Sequence, residues 1–158
     1  MPEPPRHPGV KFPPPILFVL GALAGWALNR RYPLPLMAAT RETIGSPAGW
    51  AALVLGFLIA LWGMLTFRLA RTAIVPIAPA TKIVDSGPYR FSRNPMYLGM
   101  SLMLLGGSLL TNNFWMLLTL PLALLLLYRL VIKREEAYLL SAFPAEYGAY
   151  RARVRRFI

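Results

Sequence analysis

The sequence predicts an all-α integral membrane protein with about four transmembrane helices, including a C-terminal helical hairpin, and a cytoplasmic amphipathic tail helix. Hydrophobic residues make up 56% of the 158 residues and charged residues only 15%, whereas soluble domains average about 25% charged residues. The net charge is nevertheless +11. Its Lys and Arg residues cluster between and after long uncharged runs, a pattern typical of membrane proteins rather than of nucleic-acid-binding proteins. The length suggests one domain.

The composition also excludes several kinds of functional site. The chain contains no cysteine, and its only histidine is His7. Disulfides, thiolate metal sites and cysteine nucleophiles are therefore excluded. The usual zinc sites, Ser-His-Asp triads and histidine bases are excluded for the same reason. We predict no bound metal.

The chain begins with a proline-rich arm, residues 1–12, ahead of a single domain at 13–158. Seven of the first 15 residues are proline, so this part is expected to be extended or disordered rather than helical. The first span is predicted near 13–31. A cleaved signal peptide is the alternative, but Arg30 and Arg31 follow directly and further apolar runs come later, which favours a retained helix. We attribute the Gly21-xxx-Gly25 spacing within this run to chance.

A second span is predicted near 47–67. The 25 residues of 43–67 carry no charge, and about 20 apolar residues suffice to cross a bilayer. Residues 68–94 then form a proline-containing and glycine-containing stretch without sustained periodicity, which we interpret as a cytoplasmic loop. Loops of this length without secondary structure are uncommon unless they are functional.

The third uncharged run is predicted to be a helical hairpin over 95–132. Its 35 residues, 94–128, contain no charge and would form a helix of about 52 Å, which exceeds the bilayer core of about 30 Å. The polar sequence Thr111-Asn112-Asn113 lies at its centre, so we expect two arms near 95–110 and 114–132. Because both ends of a hairpin lie on the same side, Arg93 should lie close to Glu135.

The tail, residues 133–158, combines an apolar stripe at helical spacing with four arginines between residues 151 and 156. This pattern predicts an amphipathic helix that lies on an anionic membrane surface or over the mouth of the hairpin. Pro144 should divide it into two pieces. The apolar positions are Leu139, Phe143, Tyr147, Tyr150, Val154 and Phe157.

The distribution of positive charge predicts the orientation. The loop, the tail and the N-terminal arm together hold thirteen Lys and Arg residues, and the connections on the other side hold three. By the positive-inside rule, both termini and the 68–94 loop are cytoplasmic.

The cytoplasmic rim collects the polar residues, and two interpretations of them are open. Paired carboxylates at Glu135 and Glu136 suit a cationic group, while free N–H groups at a helix start suit an anionic one. The rim could therefore hold a zwitterion. Alternatively, Arg90 and Arg93 contact lipid head groups, the glutamates neutralise them, and the tyrosines form an interfacial belt. Composition alone favours this plainer interpretation.

The motifs at this rim resemble a known family. Residues 93–99 read RNPMYLG, a Glu-Glu pair follows the hairpin, and the tail contains FPAEYGAYRARV at 143–154. This arrangement resembles the isoprenylcysteine carboxyl methyltransferase family and the related phospholipid N-methyltransferases over residues 68–158. Their Arg-His-Pro-x-Tyr and Glu-Glu motifs bind S-adenosylmethionine. Asn94 replaces the histidine and Pro144 replaces a glycine, so the chain resembles a minimal bacterial-type member, expected in the inner membrane with its site on the cytoplasmic face.

The resemblance implies S-adenosylmethionine as cofactor and a role for each matching residue. Tyr147 and Arg153 would contact the substrate, and Arg153 and Asn94 would serve the catalytic step. Gly87 would help to shape the pocket. The cofactor would be held by Tyr89, Arg93, Asn94, Tyr97, Gly99, Glu135 and Glu136.

The implied substrate is a lipophilic acceptor, and membrane lipids are expected partners. No nucleic acid is expected to bind, and the oligomeric state is left open. A carboxylate acceptor is preferred because it is already ionised and needs no base. The alternatives are N- or S-methylation of a phospholipid or another lipophilic acceptor, and a non-catalytic membrane protein with the same fold.

Overall fold

The computed structural model describes residues 8–10, 12–37, 46–72 and 80–157, and all regular secondary structure in these ranges is helical, with no strand. The all-α class is thereby confirmed. Most of the predicted proline-rich arm, the middle of the first connection and part of the 68–94 loop lie outside the described residues. The helices are α1 (Pro15–Arg31), α2 (Pro47–Leu69), α3 (Pro95–Leu110), α4 (Phe114–Leu127), α5 (Lys133–Ala142) and α6 (Pro144–Arg153).

Two further helical turns position the site. A 3₁₀ turn, Gly87–Arg90, precedes α3, and a π-helical turn, Tyr128–Ile132, joins α4 to α5. Helix α4, the π turn and α5 therefore form one continuous helix, Phe114–Ala142. In the described ranges, this helix and α2 are long and apolar enough to cross a membrane, whereas α1 and α3 have 17 and 16 residues.

Four of the helices start at a proline. Pro15, Pro47, Pro95 and Pro144 each occupy the first turn of their helix. Proline is tolerated there because the first N–H groups of a helix have no intrahelical partner, and its φ angle is already helical. The same residue at 144 ends α5 at Ala142, so the tail consists of two helices, α5 and α6.

Helices α2 and α3 pack through glycines. The buried residues of α2 are Gly49, Gly56 and Gly63, which are spaced seven apart. A Cβ atom added at Gly56 would collide with the carbonyl oxygen of Gly99, and one at Gly106 would lie 2.7 Å from that of Gly49. The two backbones are therefore in direct contact, as small residues allow between membrane helices.

Helix α1 packs on α4 in the same way. A Cβ atom at Gly25 would lie 2.7 Å from the backbone nitrogen of Met116, and one at Gly21 would lie 3.2 Å from Thr119 Oγ1. The Gly21-xxx-Gly25 spacing is thus a packing face, and its attribution to chance was wrong. Asn113 joins the two helices, since its Oδ1 accepts from the Met116 N–H at 3.1 Å and its Nδ2 donates to the Gly25 carbonyl at 3.1 Å.

Helices α3 and α4 are joined by the short turn predicted at 111–113. Asn112 adopts a positive φ of 46° there, and Ser108 Oγ donates to the Asn113 carbonyl oxygen at 2.9 Å. This turn brings the start of α3 next to the start of α5. The contact between Tyr97 and Glu135 shows this proximity.

The apolar side of the tail faces the protein. Tyr147, Tyr150 and Val154 are buried in one cluster with Val84 and Tyr89 of the preceding loop. The tail therefore packs on the loop that precedes α3.

Candidate functional site

A polar cavity lies where the 80–94 loop, the start of α3, the start of α5 and helix α6 meet. Most of the residues predicted to bind a cofactor line it. The lining consists of Pro8, Phe67, Ala80, Lys82, Ile83, Val84, Tyr89, Arg93, Asn94, Met96, Tyr97, Ile132, Glu135, Glu136, Tyr138, Leu139, Tyr147 and Tyr150.

Glu136 is fully engaged by two arginines. Arg156 donates to it in bidentate fashion, from Nε to Oε1 and from Nη2 to Oε2, both at 2.9 Å. Arg93 Nη1 lies 3.0 Å from the same Oε1. Burial alone would raise the pKa of Glu136, but the hydrogen bond from Arg156 and the charges of both arginines lower it overall. Glu136 is therefore ionised and its oxygens already have partners.

Glu135 differs from Glu136 both in the direction of its pKa shift and in how many hydrogen-bond partners its carboxylate has. It lies beyond the uncharged part of the helix, after Arg129 and Lys133, and its side chain is partly buried. Its carboxylate accepts one long hydrogen bond, 3.5 Å, from the Tyr97 hydroxyl. Burial raises the pKa of Glu135 to about 7, against a lowering by the Tyr97 hydrogen bond. Glu135 therefore retains free acceptor capacity toward the cavity.

Two buried donors of the cavity have no partner among the described residues, Arg93 Nε and the Tyr89 hydroxyl. Arg93 Nη1 also donates to the Tyr147 hydroxyl at 3.1 Å, and the Tyr89 carbonyl accepts from the Tyr150 hydroxyl at 2.9 Å. Burial raises the pKa values of Tyr89, Tyr147 and Tyr150, so these hydroxyls are protonated at neutral pH. Unpartnered buried donors are rare in proteins, and they are typical of sites that bind a ligand.

Asn94 lines the cavity but its amide is already bonded. Its Nδ2 donates to the Arg156 carbonyl at 2.9 Å, and its backbone N–H donates to Ser92 Oγ at 3.1 Å. In this arrangement Asn94 connects the start of α3 to the C-terminal segment.

Three predicted residues, Gly87, Gly99 and Arg153, lie outside the cavity lining. Gly87 packs on α2, where an added Cβ atom would lie 2.7 Å from Thr66 Oγ1. Gly99 is buried against Gly56 and Ala60 of α2, where a Cβ atom would collide with backbone, so its observed contacts are those of helix packing. Arg153 is exposed, with 66% of its side chain accessible, and its Nη2 lies 3.2 Å from Asp85 Oδ2. Arg156, three residues later, contacts the Glu136 carboxylate instead, and the sequence did not indicate this role.

A second cavity adjoins the first. It has a volume of about 310 Å³ and lies between the start of α1, helix α2 and helix α3. Its lining residues are apolar apart from Tyr97, and it shares Met96 and Tyr97 with the polar cavity. The lining consists of Pro13, Pro14, Pro15, Phe57, Ala60, Leu61, Met64, Met96, Tyr97, Met100 and Met103.

Residues 46–146 match the family model of the phospholipid methyltransferases, which is most of the chain. The chain belongs to the phospholipid methyltransferase family. This confirms the resemblance seen in the RNPMYLG and Glu-Glu motifs. Within the described residues, the two long apolar helices are consistent with a membrane protein.

Two curated proteins resemble parts of this chain. A protein-S-isoprenylcysteine O-methyltransferase of Schizosaccharomyces pombe is 38% identical over 72 residues, 46% of this chain and 30% of that protein. A cobalt-zinc-cadmium resistance protein of Cupriavidus metallidurans is 39% identical over 75 residues, 48% of this chain and 34% of that protein. The chain thus spans about a third of the length of these relatives. Within its described residues, no group of three His, Asp or Glu could hold a metal ion.

Proposed function

We propose that this chain transfers a methyl group from S-adenosylmethionine to a lipophilic acceptor that enters from the membrane. The observation that carries the proposal is that two neighbouring cavities, one with charged lining residues and one without, share Met96 and Tyr97 in their linings. A polar cofactor and an apolar acceptor need separate surroundings that meet at the reacting atoms. The family match supports methyl transfer as the reaction.

The polar cavity has the groups that the amino-acid end of S-adenosylmethionine requires. Glu135 has free acceptor capacity for an ammonium group, and Arg93 Nε is a buried donor without a partner that suits a carboxylate. Glu136 holds Arg93 in place from the opposite side. When bound, S-adenosylmethionine supplies a methyl group on a positively charged sulfur.

The apolar cavity suits the hydrocarbon part of the acceptor. It has no charged lining residue, and Met64, Met96, Met100 and Met103 can adapt to chains of irregular shape because methionine is flexible. An acceptor whose tail lies there would place its polar end near Tyr97, beside the polar cavity.

In this mechanism the protein contributes alignment rather than acid–base chemistry. The transfer is an in-line displacement, in which the acceptor's lone pair forms a bond to the methyl carbon as the carbon–sulfur bond breaks. Holding both reactants at the correct distance and angle supplies much of the rate enhancement. The buried tyrosines around Arg93 exclude water from this point.

A carboxylate is our first candidate for the acceptor, since it is ionised at neutral pH and needs no base. A lipophilic amine is the second, and one observation favours it. A protonated amine must lose a proton before it can attack, and Glu135, with a pKa of about 7, suits a proton acceptor. In that case Glu135 would not hold the ammonium group of the cofactor, which would need another partner. In either case Arg153 would act at the outer edge of the site, beside Asp85.

We further propose four membrane-crossing helices, α1 to α4, with the site on the cytoplasmic side of a bacterial inner membrane. One end of each helix lies near the cytoplasmic rim, and the other end lies on the side of the 111–113 turn. The thirteen Lys and Arg residues on the rim side against three on the other side support this orientation. The crossing part of the last helix would end at Ile132, ahead of Lys133.

Calorimetry with S-adenosylmethionine and its demethylated product tests the cofactor, using the purified chain in detergent. Incubation with methyl-labelled S-adenosylmethionine and a panel of lipophilic carboxylates, amines and thiols then tests the acceptor. We expect binding of both cofactor forms and transfer of label to at least one class. A folded protein that binds neither form would favour the alternative of a non-catalytic membrane protein.

A further inference from the structure

The last residues of the described chain, 154–157, form a segment that we call the C-terminal strap. Helix α6 ends at Arg153, and Val154 is already extended, with φ −118° and ψ 129°. The strap runs beside the residues that precede α3. The Arg93 N–H donates to the Arg155 carbonyl at 3.0 Å, and the Asn94 amide donates to the Arg156 carbonyl at 2.9 Å.

The Arg156 side chain extends this connection to the other side of the cavity. Its guanidinium is bidentate to Glu136 and lies 5.1 Å from the ring centroid of Tyr128. The pKa of Arg156 is raised by the hydrogen bond to Glu136, so the pair is charged at any physiological pH. One residue therefore contacts the start of α3 through its carbonyl and α5 through its side chain.

We propose that Arg156 is a positioning residue for the cofactor site, holding the Glu136 carboxylate and the Asn94 amide so that Arg93 points into the polar cavity. The inference rests on the proposed function. Arg93 shares Glu136 Oε1 with Arg156, so the orientation of one guanidinium depends on the other. Without Arg156, Glu136 is free to rotate around Arg93, and Arg93 loses its fixed direction.

The test compares Arg156→Ala with Arg156→Lys and with the matched control Arg155→Ala. Arg155 lies in the same strap, but its side chain is exposed and only its carbonyl contacts Arg93. We expect Arg156→Ala to weaken S-adenosylmethionine binding about 10- to 100-fold by calorimetry, the range for a lost charge-assisted hydrogen bond. Arg156→Lys keeps the charge but not the bidentate geometry, so it should restore part of this loss. Arg155→Ala should change affinity less than twofold.

A second measurement separates positioning from general stability. Arg156→Ala should weaken the cofactor affinity while leaving the KM for a lipophilic acceptor unchanged, because the apolar cavity does not include the strap. If Arg156→Ala impaired the cofactor affinity and the acceptor KM equally, the positioning role would be refuted. The same conclusion would follow if its cofactor affinity equalled that of Arg155→Ala. If Arg156→Ala does not fold, the Lys variant decides, and wild-type affinity in it refutes the bidentate geometry as the cause. No binding by the wild type would refute the proposed function as well as this inference.

Discussion

Glu135→Gln isolates the one carboxylate of the polar cavity that has free acceptor capacity. The substitution keeps the shape of the side chain and removes its charge. A hydrogen bond between charged groups contributes about 1.5–3 kcal/mol, so we expect S-adenosylmethionine affinity to fall about 10- to 100-fold. Thermal stability at neutral pH should stay unchanged or rise, because burial already disfavours the charged form of Glu135 and raises its pKa.

Glu136→Gln is the matched control, since it makes the same chemical change at the adjacent residue. Here the lost charge leaves Arg93 and Arg156 without their counterion, and the new amide N–H₂ faces a guanidinium. Removing one partner of a fully buried pair costs about 3–5 kcal/mol. Because the side chains of Arg156 and Glu136 are 33% and 15% accessible, solvent screening reduces the expected cost to about 2 kcal/mol.

Calorimetry of both variants with S-adenosylmethionine, combined with thermal unfolding followed by circular dichroism, separates these outcomes. The reasoning requires that Glu135→Gln loses affinity without losing stability, and that Glu136→Gln loses stability. Wild-type affinity in Glu135→Gln would refute the assignment of that carboxylate to the ligand. An unchanged melting temperature in Glu136→Gln would show that its three contacts with arginines contribute little.

Three further predictions concern pH, packing and topology. S-adenosylmethionine affinity should rise between pH 5.5 and 8, because Glu135 ionises near its pKa of about 7. Over the same range the protein should lose the stability that the raised pKa of Glu135 contributes at low pH. Glu135→Gln should remove both pH dependences. Gly56→Ala should lower the melting temperature, because its Cβ would collide with α3, whereas Gly148→Ala, with nothing within 4 Å, should be neutral or slightly stabilising. Reporter fusions should place residue 112 and the C-terminus on opposite faces of the membrane, and a shared face would contradict the four-span proposal.

Much of the helical framework could be predicted from the sequence because lipid imposes simple rules. The uncharged runs and the prolines at 15, 47, 95 and 144 gave the helix positions closely. The excessive length of the third run predicted the turn at 111–113 and the approach of Arg93 to the glutamate pair, which the Arg93–Glu136 contact at 3.0 Å matches. These inferences depend on length and charge, which a single sequence displays directly.

The details of the site could not be predicted in the same way. The family resemblance pointed to Arg153. The helix ends at that residue, so the direction of Arg156 follows from an extended segment that has no helical period. Nothing in the sequence distinguishes Glu135 from Glu136, because their difference arises from which arginines reach them. Gly99 belongs to a motif associated with cofactor binding. Its spacing of seven residues from Gly106 nevertheless matches the spacing of the glycines on α2, and this shared spacing is the sequence signal of helix packing.

The π-helical turn at Tyr128–Ile132 shifts the direction of side chains around the axis of the last long helix, so that α5 is rotated relative to the continuation of α4. A π turn accommodates one residue more than an α turn, and each residue of an α-helix advances the side-chain direction by about 100°. The residues of α4 that face lipid and the residues of α5 that face the cavity can therefore lie on different sides of one continuous helix. A chain that lost one residue here, and relaxed to a regular α-helix, would keep its apolar face toward the bilayer but rotate Glu135 away from Tyr97. The contact between Glu135 and Tyr97 thus depends on the number of residues in a segment that lines mainly the hydrophobic core.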